Sequence, residues 1–213
     1  NRIESMASGV EEVAGMPDPV GEISNLSFRP SGIQVGRMRV PIGVVAVIYE
    51  SRPNVTADVS ALCIKSGNAV ILKGGSEAIH SNTSILKCVR YGLEKHSLPR
   101  KAAQLVKKGR EVTSALLKKE EYIDVLVPRG GKGLIEAVSK NASMPVIKHL
   151  DGVCHVFVDS SADLSKAYDV VVNSKTQRYG TCNTMETLLI SETIAETFCS
   201  TLFPRLIEMG VEI

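Results

Sequence analysis

Residues 44–49, Val-Val-Ala-Val-Ile-Tyr, form an unbroken apolar and largely β-branched run. That pattern predicts a strand buried on both faces. Upstream, Ile33, Val35, Met38 and Val40 are separated by polar residues or glycine, a β-like alternation that Pro41 and Gly43 break. Residues 2–13 read as a helix, and residues 15–21, with two prolines between glycines, as turns. Beyond the apolar run, helical and strand periods alternate. Helices are predicted over 54–66, 76–95, 111–119, 132–139 and 164–174, and strands over 69–73, 104–106, 123–127, 146–148, 153–158 and 187–190. Gly67-Asn68 closes the first of these helices, and Ser76 is expected to cap the second.

Strand–helix alternation of this kind predicts an α/β fold, a Rossmann-like, mostly parallel sheet with helices on both faces. Ligands of such sheets bind at the carboxyl ends of the strands. A domain boundary is expected near residues 149–152, giving a first domain over residues 1–148 and part of a second α/β domain over residues 149–213. The chain opens at Asn1 rather than methionine and closes at Ile213 just past an amphipathic segment, so it is expected to be a fragment of a longer protein.

Composition narrows the classes. The formal net charge of +2 over 213 residues does not point to a nucleic-acid binder. No apolar run reaches membrane-spanning length, and no secretory leader is visible, so a cytoplasmic protein is expected. The five cysteines, Cys63, Cys88, Cys154, Cys182 and Cys199, are odd in number and lack C-x-x-C spacing, which argues against a disulfide framework or a zinc site. No metal is expected.

Cys182 stands apart from the other four. It lies in a polar, glycine-containing segment between a helix and a strand, with Lys175 and Arg178 upstream. Structural cysteines usually sit in apolar runs, whereas positive charge and free backbone N–H groups favour a thiolate nucleophile. A half-buried loop cysteine without chemistry fits the segment equally well. Two glycine-rich turns follow strands: Lys73-Gly74-Gly75-Ser76 and Arg129-Gly130-Gly131-Lys132-Gly133. Each opens a helix, a setting that offers backbone N–H groups to an anion. Neither matches a Walker A or Gly-x-Gly-x-x-Gly motif, and such turns are often structural. Asn54 sits near the start of a helix, either as its N-cap or as a side-chain amide aimed at an oxyanion. His149 flanks Asp151, at an active site or merely at a strand end.

Four segments, residues 40–56, 66–75, 149–155 and 175–183, resemble the gamma-glutamyl phosphate reductase family of the aldehyde dehydrogenase superfamily, in the same order and over nearly the whole chain. The resemblance implies an aldehyde dehydrogenase-like fold with an NADPH-binding domain and the N-terminal part of a catalytic domain. The implied activity is NADPH-dependent reduction of L-glutamyl 5-phosphate to glutamate 5-semialdehyde with release of phosphate, the second step of proline biosynthesis. Cys182 matches the nucleophile and Asn54 the oxyanion donor. Lys73, Gly74, Gly75 and Ser76 match the adenosine-ribose side of the cofactor site, and Arg129, Gly130 and Gly131 the pyrophosphate side. Ser76 stands where NAD-preferring members tend to carry a glutamate, which favours the 2′-phosphate of NADPH, although Glu77 is its neighbour. Arg178 and His149 are candidates for gripping substrate. His149 replaces the glutamate that activates water in hydrolytic members, so little acid-forming activity is expected. The family also implies a homo-oligomer at full length and functional association with glutamate 5-kinase. Two other readings remain: an acyl-CoA-reducing member of the superfamily, and a fragment that binds dinucleotide without turnover.

Overall fold

Arg2–Gly15 winds into helix α1, followed by a two-stranded antiparallel hairpin of β1 (Ile23–Phe28) and β2 (Gln34–Met38). The computed structural model describes residues 2–107, 109–148 and 152–213. The chain divides into two units, Asn1–His149 and Leu150–Ile213.

The centre of the first unit is β3 (Val44–Tyr49), followed by α2 (Asn54–Lys65), β4 (Ala69–Lys73), α3 (Ile79–Lys95), β5 (Ala103–Leu105), α4 (Arg110–Leu116), β6 (Val125–Arg129) and α5 (Lys132–Asn141). The four strands form one parallel sheet in the order β5-β4-β3-β6. Successive side chains of a strand point to opposite faces, and β3 uses both. Val45, Val47 and Tyr49 pack with Val55 and Cys63 of α2 and Leu86 and Leu93 of α3. Ala46 and Ile48 pack with Leu117, Ile123, Val138 and Met144 on the other face. This double burial is why β3 reads as a continuous apolar run.

From β3 the chain steps outward through β4 to β5, then returns to place β6 on the other side of β3. The carboxyl ends of β3 and β6 therefore flank a topological switch point, where open α/β sheets form ligand crevices. Gly67 ends α2 at φ 73°, and Gly67 N–H and Asn68 N–H reach back to the carbonyls of Ile64 and Cys63 at 3.0 and 2.8 Å. This is the paired hydrogen bonding of a Schellman cap.

Several expectations need correction. Ser76 does not cap α3. It opens a short 3-10 turn, Ser76–Ala78, whose capping position is Gly75, and α3 starts at Ile79 without a side-chain cap. Residues 146–148 do not form a full strand, since only Val146 bridges to Leu126. Strand β1 has no counterpart in the sequence-based expectations. Its pairing with β2 shifts register between Ser24 and Ser27, where Asn25 adopts φ 54°.

In the second unit, β7 (Cys154–Val158) and β8 (Met185–Ile190) pair in parallel, joined through α6 (Leu164–Thr176) and followed by α7 (Glu192–Glu208). Asp163 caps α6, accepting from Ser165 N–H at 2.9 Å and Lys166 N–H at 3.1 Å. Val158, Val171, Met185, Phe198, Leu202 and Leu206 form its core.

Candidate active site

A cleft of about 910 Å³ opens at the carboxyl ends of β3 and β4 in the first unit. Its wall includes Glu50 and Ser51 after β3, Lys73, Gly74 and Gly75 after β4, then Ser76 and Glu77. Thr113 and Ser114 of α4 and Gly133 of α5 complete it on the far side. The residues expected from the first glycine turn thus converge on one cavity. Of the second turn, Gly133 reaches the cleft, whereas Arg129, Gly130 and Gly131 lie outside its lining. Gly131 occupies the capping position of α5, with Gly130 half-buried beside it and Arg129 exposed.

The turns are tightly built. A β-carbon on Gly74 would collide with Asn82 Nδ2 and stand 3.1 Å from the Tyr49 ring. Only glycine lets the backbone pass there. The Lys73 ammonium folds back onto the Gly74 carbonyl at 2.9 Å. Ser51 adopts φ 42°, a strained setting for a non-glycine residue. Its backbone N–H and its hydroxyl both donate to Glu77 Oε1, at 2.9 and 3.2 Å. Hydrogen bonds from Glu77's own N–H and from that of Ser51, together with nearby Lys73, hold the Glu77 carboxyl below its ordinary range. Glu50 Oε2 accepts from Gly131 N–H at 3.0 Å. Two carboxylates therefore sit on backbone donors of these turns. From sequence Glu77 is only a charge beside Ser76, and Glu50 and Ser51 carry no expected role. Nothing in the sequence links residue 51 to residue 77 or residue 50 to residue 131.

Asn54 is the first residue of α2 and is exposed. Pro53 holds the capping position, and no side chain caps the helix. The N-cap reading of Asn54 is thereby overturned, because its amide points along the helix and donates to Asp58 Oδ2 one turn on, at 2.9 Å. An asparagine amide carries a second N–H beyond that bond.

In the second unit, Cys182 is exposed on the loop between α6 and β8. The loop is held from within. Thr184, itself buried, donates through its hydroxyl to the Arg178 carbonyl, and Thr181 Oγ1 donates to the same carbonyl at 3.0 Å. The Lys175 ammonium, in the last turn of α6, donates to the Met185 carbonyl at 3.1 Å, so it ties the end of α6 to the start of β8 on either side of the loop. Arg178 is exposed on the same loop. A second strut comes from Gly152, where a β-carbon would collide with the Cys182 carbonyl oxygen. The Cys154 thiol also donates to that oxygen at 3.5 Å. Gly152 was legible as part of the residue 149–152 motif, but not as the support of the cysteine loop. His149 lies outside the described residues.

Comparison with known proteins identifies the family. A gamma-glutamyl phosphate reductase from Thermotoga maritima is 43% identical, with a TM-score of 0.89, covering 99% of this chain and 51% of that one. Its counterpart from Saccharomyces cerevisiae is 34% identical, with a TM-score of 0.63, covering 98% of this chain and 57% of that one. The chain therefore spans little more than half the length of these relatives. A more distant likeness of fold, at 21% identity and a TM-score of 0.62 over 94% of this chain and 43% of the other, is to glyceraldehyde-3-phosphate dehydrogenase GapN from Methanocaldococcus jannaschii complexed with NADP. A model of the aldehyde dehydrogenase family matches residues 1–212, which takes in both glycine turns, the cleft and the cysteine loop, and the chain belongs to that family.

Proposed function

We propose that this chain carries the cofactor site and the nucleophile of a gamma-glutamyl phosphate reductase, which reduces L-glutamyl 5-phosphate to L-glutamate 5-semialdehyde. The observation that carries the reading is 43% identity to such a reductase across 99% of the chain. The chemistry of the residues supports it. Cys182, as a thiolate, attacks the acyl carbon, the C–O bond to phosphate breaks, and a thioester forms on sulfur. The oxyanion donor expected from the family resemblance is Asn54, whose amide carries a second N–H beyond its bond to Asp58. Arg178 and His149 are the candidates for holding the substrate's charged groups.

The cleft residues fit a dinucleotide. Lys73 brings a cation, Gly74 and Gly75 bring bare backbone, and the cavity is large enough for an extended ligand. NADPH would be held there, with Lys73 to Ser76 toward the ribose, and when bound it supplies the hydride that reduces the thioester. The expected pyrophosphate contact of Arg129 to Gly131 is not carried over, because those residues lie outside the cleft lining and Glu50 occupies the Gly131 N–H. Ser76 is exposed at the cleft and carries no charge to repel a 2′-phosphate, and Glu77 is engaged by Ser51. The reading places the protein in the cytoplasm, as a homo-oligomer at full length and in functional association with glutamate 5-kinase.

The test is the reverse reaction, with glutamate 5-semialdehyde, phosphate and NADP+, on this chain and on Cys182→Ala. Phosphate-dependent NADPH formation that disappears in the variant is the expected result. Activity that survives the substitution rejects Cys182 as nucleophile. NADPH binding without turnover in either protein favours the reading in which this chain keeps the cofactor site alone, in line with its coverage of 51% of the relative.

A further inference from the structure

Beneath the first glycine turn lies a buried polar chain that ends in an unpaired donor. The Tyr49 hydroxyl and Thr56 Oγ1 are 2.7 Å apart, and Thr56 Oγ1 donates to Asn82 Oδ1 at 3.2 Å. A threonine has one hydroxyl proton. Since Thr56 gives it to Asn82, Tyr49 must donate to Thr56, and the bonds run in one direction toward Asn82. Thr56 and Asn82 are both 0% exposed. Asn82 Nδ2, at the end of the chain, has no hydrogen-bond partner. It occupies the space beside Gly74 that a β-carbon would need. A buried, unsatisfied amide is costly, and most buried donors in folded proteins are paired.

In the adjoining turn the Gly74 carbonyl accepts from the Lys73 ammonium at 2.9 Å, and Gly74 is the residue whose missing β-carbon makes room for Asn82 Nδ2. We propose that Asn82 is a positioning residue for the cofactor turn. When an anionic phosphate group of a dinucleotide draws Lys73 away, the released Gly74 carbonyl turns to accept from Asn82 Nδ2. The inference rests on the reading of this cleft as a dinucleotide site. It explains three features together: the orphan donor, the glycine at position 74 and the inward fold of Lys73. Lys73 is thus available to the ligand without leaving a backbone carbonyl unpaired, and the Tyr49–Thr56–Asn82 chain holds the receiving amide in place.

The experiment follows the Asn82 side-chain amide protons by NMR in the intact chain, assigned through bonds from the Asn82 backbone, during titration with NADPH. The expected result is a downfield shift of one of the two protons that saturates with binding. In parallel, Asn82→Leu should raise the Kd for NADPH about tenfold, the worth of one hydrogen bond. Lys73→Met frees the Gly74 carbonyl in both states, so adding Asn82→Leu to it should weaken binding no further. Asn82 protons that stay put at saturating NADPH overturn the proposal, as does an additive double variant. If the leucine variant fails to fold, the wild-type titration still decides. Failure of the wild-type chain to bind NADPH would sink the cofactor reading itself, whereas binding without movement at Asn82 sinks only this inference.

Discussion

Burial pushes the Cys63 thiol from 9.0 up to about 11, because the α2 face it occupies cannot solvate a thiolate. The folded state therefore disfavours ionisation that the unfolded chain accepts. Stability linked to this group is complete below about pH 9 and is lost as pH rises toward 11. Urea midpoints should fall between about pH 8 and about pH 10.5, and Cys63→Val should flatten part of that fall. An unchanged slope in the variant would reject the linkage. Cys182 and Cys88 are exposed and should react with an aromatic disulfide reagent in the native state, while Cys63 reacts only on unfolding. Asn54 offers a different contrast at the same scale. It is exposed and its amide donates to Asp58, so Asn54→Ala should change stability by less than about 0.5 kcal/mol. If it stabilises the oxyanion, turnover should fall about 10²- to 10³-fold with NADPH affinity unchanged. Equal turnover would return Asn54 to a surface role.

Elements defined by period were legible in the sequence, and contacts between distant residues were not. The β3 run is continuous because both sheet faces bury it, and the sequence-based boundaries of 44–49 match the strand. Gly67 marks the end of α2 because φ 73° favours glycine. β1 escaped because Ser24, Asn25 and Ser27 interrupt its apolar residues, and its register shift breaks the two-residue period. Ser76 had the chemistry of a cap, yet the strand-to-helix connection there is a 3-10 turn, and Glu77 takes up the local N–H groups. Asn82 carries no sequence-based expectation, because nothing local distinguishes a buried asparagine from a solvated one. The cleft turn itself gives a prediction. Gly74→Ala places a methyl group against Asn82 and Tyr49, so it should cost about 1–3 kcal/mol and weaken NADPH binding. Gly133→Ala meets nothing within 4 Å and should be tolerated as its control. Calorimetry on the two variants separates packing at the turn from a general intolerance of change near the cleft.

At the level of the whole molecule, the chain divides its chemistry between two units. All residues lining the large cleft fall within Asn1–His149, and the cysteine loop with its Gly152 strut falls within Leu150–Ile213. The first unit also contains a four-stranded sheet with a core on each face. A sheet closed by helices on both sides has the apolar burial an independent domain needs. Among its described residues the second unit has two paired strands and two helices, a small core for about 60 residues. Residues 1–148 expressed alone should therefore fold cooperatively and bind NADPH with the Kd of the whole chain, because no cleft-lining residue is removed. Residues 149–213 alone should lack a cooperative thermal transition. Isothermal titration of the shorter piece checks the first expectation. A Kd weakened more than about tenfold would mean that residues beyond 148 supply at least about 1.4 kcal/mol of the binding, and the cofactor site would then have to be drawn across both parts of the chain.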